Sequence, residues 1–204
     1  GQQVLMGRMN IPAPILMETI QPGSGVTVSQ YAALVARART NPASLTPAEQ
    51  AILAQPSIPY NLDAWDGYQA ARETVLATSR SLGKNLVVLS GDTHNAWANE
   101  LQDRNGNAVG VEFATSSVTS PGFEEYLPNE NPATLAGALQ QLIAPLKYCD
   151  TSRRGYMVLT ATASECRADW VYVNTITSRN YTASTDKSLK VVAGAAGVGR
   201  IVAA

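Results

Sequence analysis

Apolar residues recur along this chain in short, separately punctuated segments, and the one continuous aliphatic run is Leu86-Val-Val-Leu89. A short run of this kind predicts a strand covered on both faces. Before it, Tyr68, Ala71, Val75 and Leu82 fall on one face of a predicted helix, with Thr78 as the one hydroxyl in that stripe. Asp66 reads as the N-cap of this helix, with Gln69 closing the box and Gly83 ending it. Helix, Gly-Lys-Asn and strand together form the second half of a βαβ unit. After the strand, residues 95–101 and 108–113 read as two strands joined at Asp103-Arg-Asn-Gly-Asn107, where Asn-Gly accepts a tight turn. Asn131-Pro132 opens a helix carrying Leu135, Leu139, Leu142 and Ile143, closed by Pro145. Alternation over 156–162 and 169–176 predicts a second hairpin, and 188–192 a last short strand.

The first quarter of the chain is less regular. Pro12, Pro14, Pro22, Gly23 and Gly25 predict mostly loop over 1–25 after an initial extended piece. Ser29 reads as the cap of a helix that ends before Asn41-Pro42. Thr46-Pro-Ala-Glu49 is a capping box for a short helix through Leu53. The chain therefore divides into 1–59, variable loop and short helices; 60–176, the region of regular elements; and 177–204, a C-terminal strand and tail. There are no internal repeats. Gly194-Ala-Ala-Gly-Val-Gly199 matches neither dinucleotide-binding nor P-loop spacing and reads as a small-residue tail.

Composition narrows the class. With 204 residues, 45% hydrophobic and 15% charged, the chain can bury a substantial core. A net charge of -1 provides no electrostatic patch for nucleic acid. No apolar run approaches the length of a transmembrane segment. Cys149 and Cys166, the only cysteines, are read either as a pair formed in an oxidising compartment or as two buried thiols, and their spacing does not suggest zinc. The opening Gly1-Gln-Gln-Val-Leu-Met6 has no start methionine or charged leader, so the chain is read as a piece of something longer.

The candidate chemistry sits at the end of the aliphatic run, in Ser90-Gly-Asp-Thr-His94. Gly91 is expected to turn the backbone. Asp92 and His94, two residues apart, would leave extended backbone on the same side. A carboxylate and the chain's only imidazole would then converge at the carboxyl end of a buried strand, where open α/β sheets place ligands. That donor pair suits iron, zinc or manganese, with calcium or magnesium beside it. A Ser-His-Asp hydrolase would need a nucleophile elbow, Gly-x-Ser-x-Gly, which is absent.

Asp63-Ala-Trp-Asp-Gly-Tyr68 followed by Arg72, then Val87-Val-Leu-Ser-Gly-Asp-Thr-His-Asn-Ala-Trp97, then Val111-Glu-Phe-Ala-Thr-Ser-Ser117 and Ser120-Pro-Gly122 resemble the C-terminal half of PhoD-like alkaline phosphatases. Lys147-Tyr148 and Arg153-Arg-Gly-Tyr156 are similar to that family too. The resemblance implies an α/β fold, the C-terminal half of a four-layer α/β/β/α metallophosphoesterase sandwich with a mixed sheet. It implies a secreted enzyme, periplasmic or extracellular, that hydrolyses phosphate esters by metal-activated hydroxide. Its cofactor would be a dinuclear or multinuclear metal site of iron and calcium, with zinc, manganese or magnesium as variants. His94 would hold the first metal and Asp92 the second, harder one, where related enzymes carry Gly-His-x-His. Asn95 and Arg72 would either contact substrate or support the packing around the ligands, and Glu112 would be either a partner of the site or only a strand residue. Trp65 and Trp97 are expected in the core or a pocket wall.

The remaining ligands in that family lie upstream of Gly1. Two ligands do not make a dinuclear site, so the chain is expected to be inactive without an N-terminal half, either missing or present as a separate chain. The alternative is a non-catalytic α/β binding or structural domain, in which Gly91–His94 is a hydrogen-bonded corner.

Overall fold

The computed structural model describes residues 1–194 and 199–204; most of the 194–199 tail is therefore outside the described residues. In chain order the elements are β1 (Asn10–Pro12), α1 (Ala13–Ile20), α2 (Val28–Thr40), α3 (Pro47–Leu53), β2 (Ser57–Pro59), α4 (Gln69–Ser81), β3 (Leu86–Ser90), β4 (Ala96–Gln102), β5 (Ala108–Ala114), α5 (Phe123–Tyr126), α6 (Pro132–Leu142), β6 (Leu146–Asp150), β7 (Gly155–Ala161), β8 (Glu165–Val173), β9 (Ala183–Val192) and β10 (Ile201–Ala203). Short 3-10 turns occupy Pro42–Ser44 and Trp65–Gly67.

Two four-stranded sheets, ordered β3-β5-β4-β6 and β10-β9-β8-β7, carry the architecture, with β1 and β2 as a separate ribbon. The first sheet is mixed: β3 runs parallel to β5, while β4 is antiparallel to both β5 and β6. The second is antiparallel throughout. The small side chains of Ala96 and Ala98 face the second sheet, leaving room there for Trp170 and Tyr172. Trp170 packs edge-on to Phe113 at 5.8 Å and donates its indole N–H to the Ala114 carbonyl at 2.9 Å. On the opposite face Trp97, Cys149 and Leu146 meet α2 and α6, and Val88, Leu101 and Val109 meet Leu76 of α4. The described layers are thus helices, mixed sheet and antiparallel sheet: a mixed α/β fold.

Within this frame β3 is an edge strand. Each of its faces packs on a different layer, Val88 toward α4 and Val87 and Leu89 toward the second sheet. It pairs in register with β5, Val88 opposite Glu112. At Gly110 a Cβ would lie 2.5 Å from the Leu86 carbonyl oxygen, so only glycine permits this seam. The outer side of β3 is partly covered by the start of the chain: Gln2 N–H donates to Leu89 O and Gly91 N–H to Gln3 O, each at 2.9 Å.

Several local expectations need correction. Residues 13–20 are helical, because Pro14 falls in the first turn, where a missing N–H costs nothing. The second helix is capped by Thr27, not Ser29, in a reciprocal box with Gln30. Asp66 does not cap α4. It is buried in the preceding 3-10 turn, and its carboxylate accepts the Met9 N–H at 2.8 Å. The inward face of α4 is Arg72 and Leu76, whereas Tyr68, Ala71, Val75, Thr78 and Leu82 face solvent. The helix is rotated because the Arg72 guanidinium reaches inward to the carbonyls of Met6 (2.8 Å) and Gln102 (3.1 Å). The last strand starts at Ala183, five residues earlier than alternation indicates, and β10 adds to it. The capping box at Thr46, the Asn131 cap and both hairpins form as the sequence predicts. Cys149 and Cys166 are free thiols on different sheets, not a pair.

Candidate functional site

The carboxyl ends of parallel β3 and β5 lie side by side, with Ser90 opposite Ala114. The turn after β3 and the Thr115–Gly122 loop after β5 therefore share one edge of the sheet. Thr115 N–H donates to Ser90 O at 3.1 Å, and Thr93 N–H folds back on Gly91 O at 2.7 Å. The turn is not extended. Asp92 and His94 both adopt left-handed backbone, with φ of 66° and 60°, and Gly91 is not among the positive-φ residues. The same-side argument for Asp92 and His94 therefore fails, and what holds each side chain must be read from its neighbours.

Those neighbours differ. Asp92 is exposed, and its Oδ1 accepts one hydrogen bond, from Gln3 Nε2 at 3.0 Å. It borders an open groove of about 490 Å³ with Gln3, Gly91, Thr115 and Ser116. His94 is half-buried, and its Nδ1 lies 3.0 Å from the Pro121 carbonyl oxygen. That oxygen can only accept, so Nδ1 carries the proton. The neutral ring then has its lone pair on Nε2, the arrangement metal-binding histidines use.

The Thr93–His94 segment is clamped by side chains. Thr93 Oγ1 accepts the Trp97 indole N–H at 2.7 Å, which puts Trp97 in the core as expected. Asn95 is 1% exposed; its amide nitrogen donates to Thr93 O at 2.7 Å and its oxygen accepts the Phe123 N–H at 3.0 Å. Both amide atoms are thus engaged in joining the turn to the loop that presents Pro121, which is the supporting role of the two considered for it. Gly122 is required there, because a Cβ would meet Asn95 Oδ1 at 2.4 Å. Glu124 accepts the Gly122 N–H at 3.1 Å and pairs with Arg154, which gives that arginine a place in the site's frame. Ser117 Oγ accepts the N–H groups of Thr119 and Ser120, so this hydroxyl serves the loop itself. Ser116 Oγ is buried without a partner among the described residues.

Beneath the turn lies Glu112, which is fully buried. Its Oε1 accepts from Met6 N–H (2.7 Å) and Ser90 Oγ (2.9 Å), and its Oε2 from Gly7 N–H (2.9 Å) and Asn99 Nδ2 (3.0 Å). Burial pushes its carboxyl above the usual range, and the four donors pull the other way. Four donors fill the acceptor capacity of a carboxylate, so this cage suits the ionised form. Glu112 is therefore a support of the site's frame and not merely a strand residue. Arg72 supports the same strap from its other side through Met6 O. The sequence offered no signal for the cage, because two of its donors are backbone groups more than a hundred residues away.

Comparison with known proteins agrees with this geometry. Residues 1–170 match the family model described as PhoD-like phosphatase. Over 136 residues the chain is 31% identical to alkaline phosphatase D of Bacillus subtilis (strain 168), covering 63% of this chain and 22% of that protein. The solved structure titled "Structure of PhoD" superposes with a TM-score of 0.58 at 26% identity, over 74% of this chain and 28% of the other. The chain thus spans about a quarter of the length of the relatives it matches.

Proposed function

This chain belongs to the PhoD-like phosphatase family, and from that premise we propose that it is the C-terminal part of a single metallophosphatase domain in a secreted, metal-dependent phosphoric ester hydrolase. The relative's name, alkaline phosphatase D, supports phosphate esters as the substrate class. The observation that carries the metal reading is His94: its Nδ1–H is committed to Pro121 O, which presents Nε2 as a donor from a left-handed turn. Left-handed backbone at two non-glycine residues within three positions costs free energy that a packing corner does not need, and such outliers concentrate at functional sites. Asp92, exposed and lightly bonded, adds a hard oxygen donor suited to calcium, while imidazole suits iron or zinc.

In this reading Asp92 and His94 hold the metal, and Asn95, Glu112, Glu124 and Arg154 keep the turn and its facing loop in place. When bound, such ions supply Lewis acidity toward phosphoryl oxygens and make a nearby water acidic enough to attack at neutral pH. Among the described residues no group of three or more His, Cys, Asp or Glu side chains could hold a metal. Further ligands would therefore come from an N-terminal portion of the same protein, joined to this chain or supplied as a separate one. Export to the periplasm or beyond follows from the family reading; no described helix is long and apolar enough to cross a membrane.

Metal analysis of the protein purified with its upstream portion tests the assignment. Iron and calcium should copurify, and His94→Ala should remove the iron while circular dichroism stays unchanged. Full metal content in a folded His94→Ala protein would favour the non-catalytic corner instead.

A further inference from the structure

Next to this turn, α1, α2, α5 and α6 enclose an apolar cavity of about 230 Å³. Its walls are Ile15 and Leu16 of α1, Val28 of α2, Phe123 of α5, and Leu135 and Leu139 of α6. Tyr126 also lines it while remaining 68% exposed, so the cavity opens to solvent on that side. A dry cavity of about 150 Å³ lined by such side chains accepts benzene, so this one has room for a single ring or a short alkyl chain.

What distinguishes this cavity from an ordinary packing defect is its attachment to the site. Phe123 follows by two residues Pro121, whose carbonyl fixes the His94 ring at 3.0 Å. Two residues span at most about 7 Å of chain, which puts the wall of the cavity within roughly 10 Å of the imidazole. The Phe123 N–H is held by Asn95, and its ring packs edge-on against Trp97 at 5.8 Å and Tyr60 at 5.4 Å. Trp97 in turn holds Thr93. The wall and the turn are therefore set by the same residues.

We propose that this cavity takes the apolar substituent, an alkyl chain or one aryl ring, of a phosphate ester whose phosphoryl group lies at the Asp92–His94 turn. The proposal rests on the phosphatase reading for the position of the phosphoryl group, but the cavity's own preference can be measured without phosphate. Each methylene transferred from water into the cavity should tighten binding about fourfold until the space is full.

The experiment measures dissociation constants of two series, n-alkanols and n-alkyl phosphates from propyl to octyl, by titration of isotope-labelled protein, with metal added for the phosphates. Both series should tighten with chain length and level off at the same length. Leu135→Phe should abolish the length dependence in both. Leu139→Ala should move the plateau to longer chains, a gain that damaged folding does not produce. Alkanol binding that ignores chain length overturns the proposal, as does length dependence confined to the alkanols. It is likewise overturned if alkanols bind this chain but not the protein carrying its upstream portion, since that portion then fills the cavity. Loss of metal-dependent phosphate binding with both length series intact in the absence of metal counts against the phosphatase reading alone.

Discussion

A non-glycine residue in left-handed backbone costs roughly 1–2 kcal/mol, somewhat less for aspartate, and this chain places Asp92 and His94 there with only Thr93 between. The sequence has glycine one position earlier, at Gly91, where a positive φ would cost nothing. Because the strain sits on the two donor side chains, relieving it should stabilise the fold while removing a ligand. Asp92→Gly is expected to raise stability by up to about 1 kcal/mol, read as a higher urea midpoint with unchanged slope, and to reduce metal uptake by the protein carrying its upstream portion. A lower midpoint would show that Asp92 is held by something more than its bond to Gln3. Elsewhere single residues set the alkaline limit of the fold. Burial pushes the Cys149 thiol and the Tyr148 phenol each up to about 12, and it raises Tyr172 and Tyr60 as well. In each case the folded pKa lies above the unfolded one, so the unfolded chain loses its protons first. The stability these groups contribute is complete below about pH 9 and drains away as the pH rises toward 12. Thermal midpoints measured from pH 8 to 11 should fall progressively, and Cys149→Ser should make that fall shallower. A flat profile would mean that these groups are already solvated.

At the scale of elements, what was legible followed from local rules. The β3 run, the Asn-Gly hairpin, the Thr46 box and the Asn131 cap each depend on neighbours within a few positions, and each forms. The orientation of α4 was not legible. Its apolar residues Val75 and Leu82 mark one face, yet Arg72 turns the opposite face inward to reach carbonyls of two distant segments. The strap over residues 5–9 was invisible for the same reason: its N–H groups are taken by Glu112 and Asp66, and its carbonyls by Trp65 N–H, Arg72 and Tyr60 N–H. For the candidate site, the residue types and their position after a buried strand were readable, but the backbone conformation that directs them was not. The strap yields a prediction. In Glu112→Gln one of the four donors must face an amide N–H₂, so the variant should lose about 1–3 kcal/mol. Hydrogen exchange should show the loss first at Met6 and Gly7. Unchanged protection there would mean that the strap is held by Arg72 and Asp66 without the glutamate.

The whole molecule presents an asymmetry: a sheet edge organised for ligands, with only two ligand candidates on it. A tetrahedral metal needs three or four protein donors, and two metals need more, while this chain spans 22% of the length of alkaline phosphatase D from Bacillus subtilis. The edge next to the candidate ligands is also incompletely closed. On the outer side of β3 only Gln2 and Gln3 make ladder-like bonds, and β7, the edge of the second sheet, exposes Tyr156 and Val158 at 48% and 45%. Unpaired strand edges invite additional chain, and the groove between them is bordered by Asp92. If the missing ligands approach from there, replacing the matching region of the Bacillus subtilis enzyme with this chain should give a protein that releases phosphate from an aryl phosphate ester. The activity should vanish on chelation, return with added metal, and be absent in the His94→Ala form of the same chimera. The unsupplemented chain, at equal concentration, should release none. A folded chimera that binds metal yet leaves the ester intact, or a bare chain as active as the chimera, would place the chemistry somewhere other than the Asp92–His94 turn.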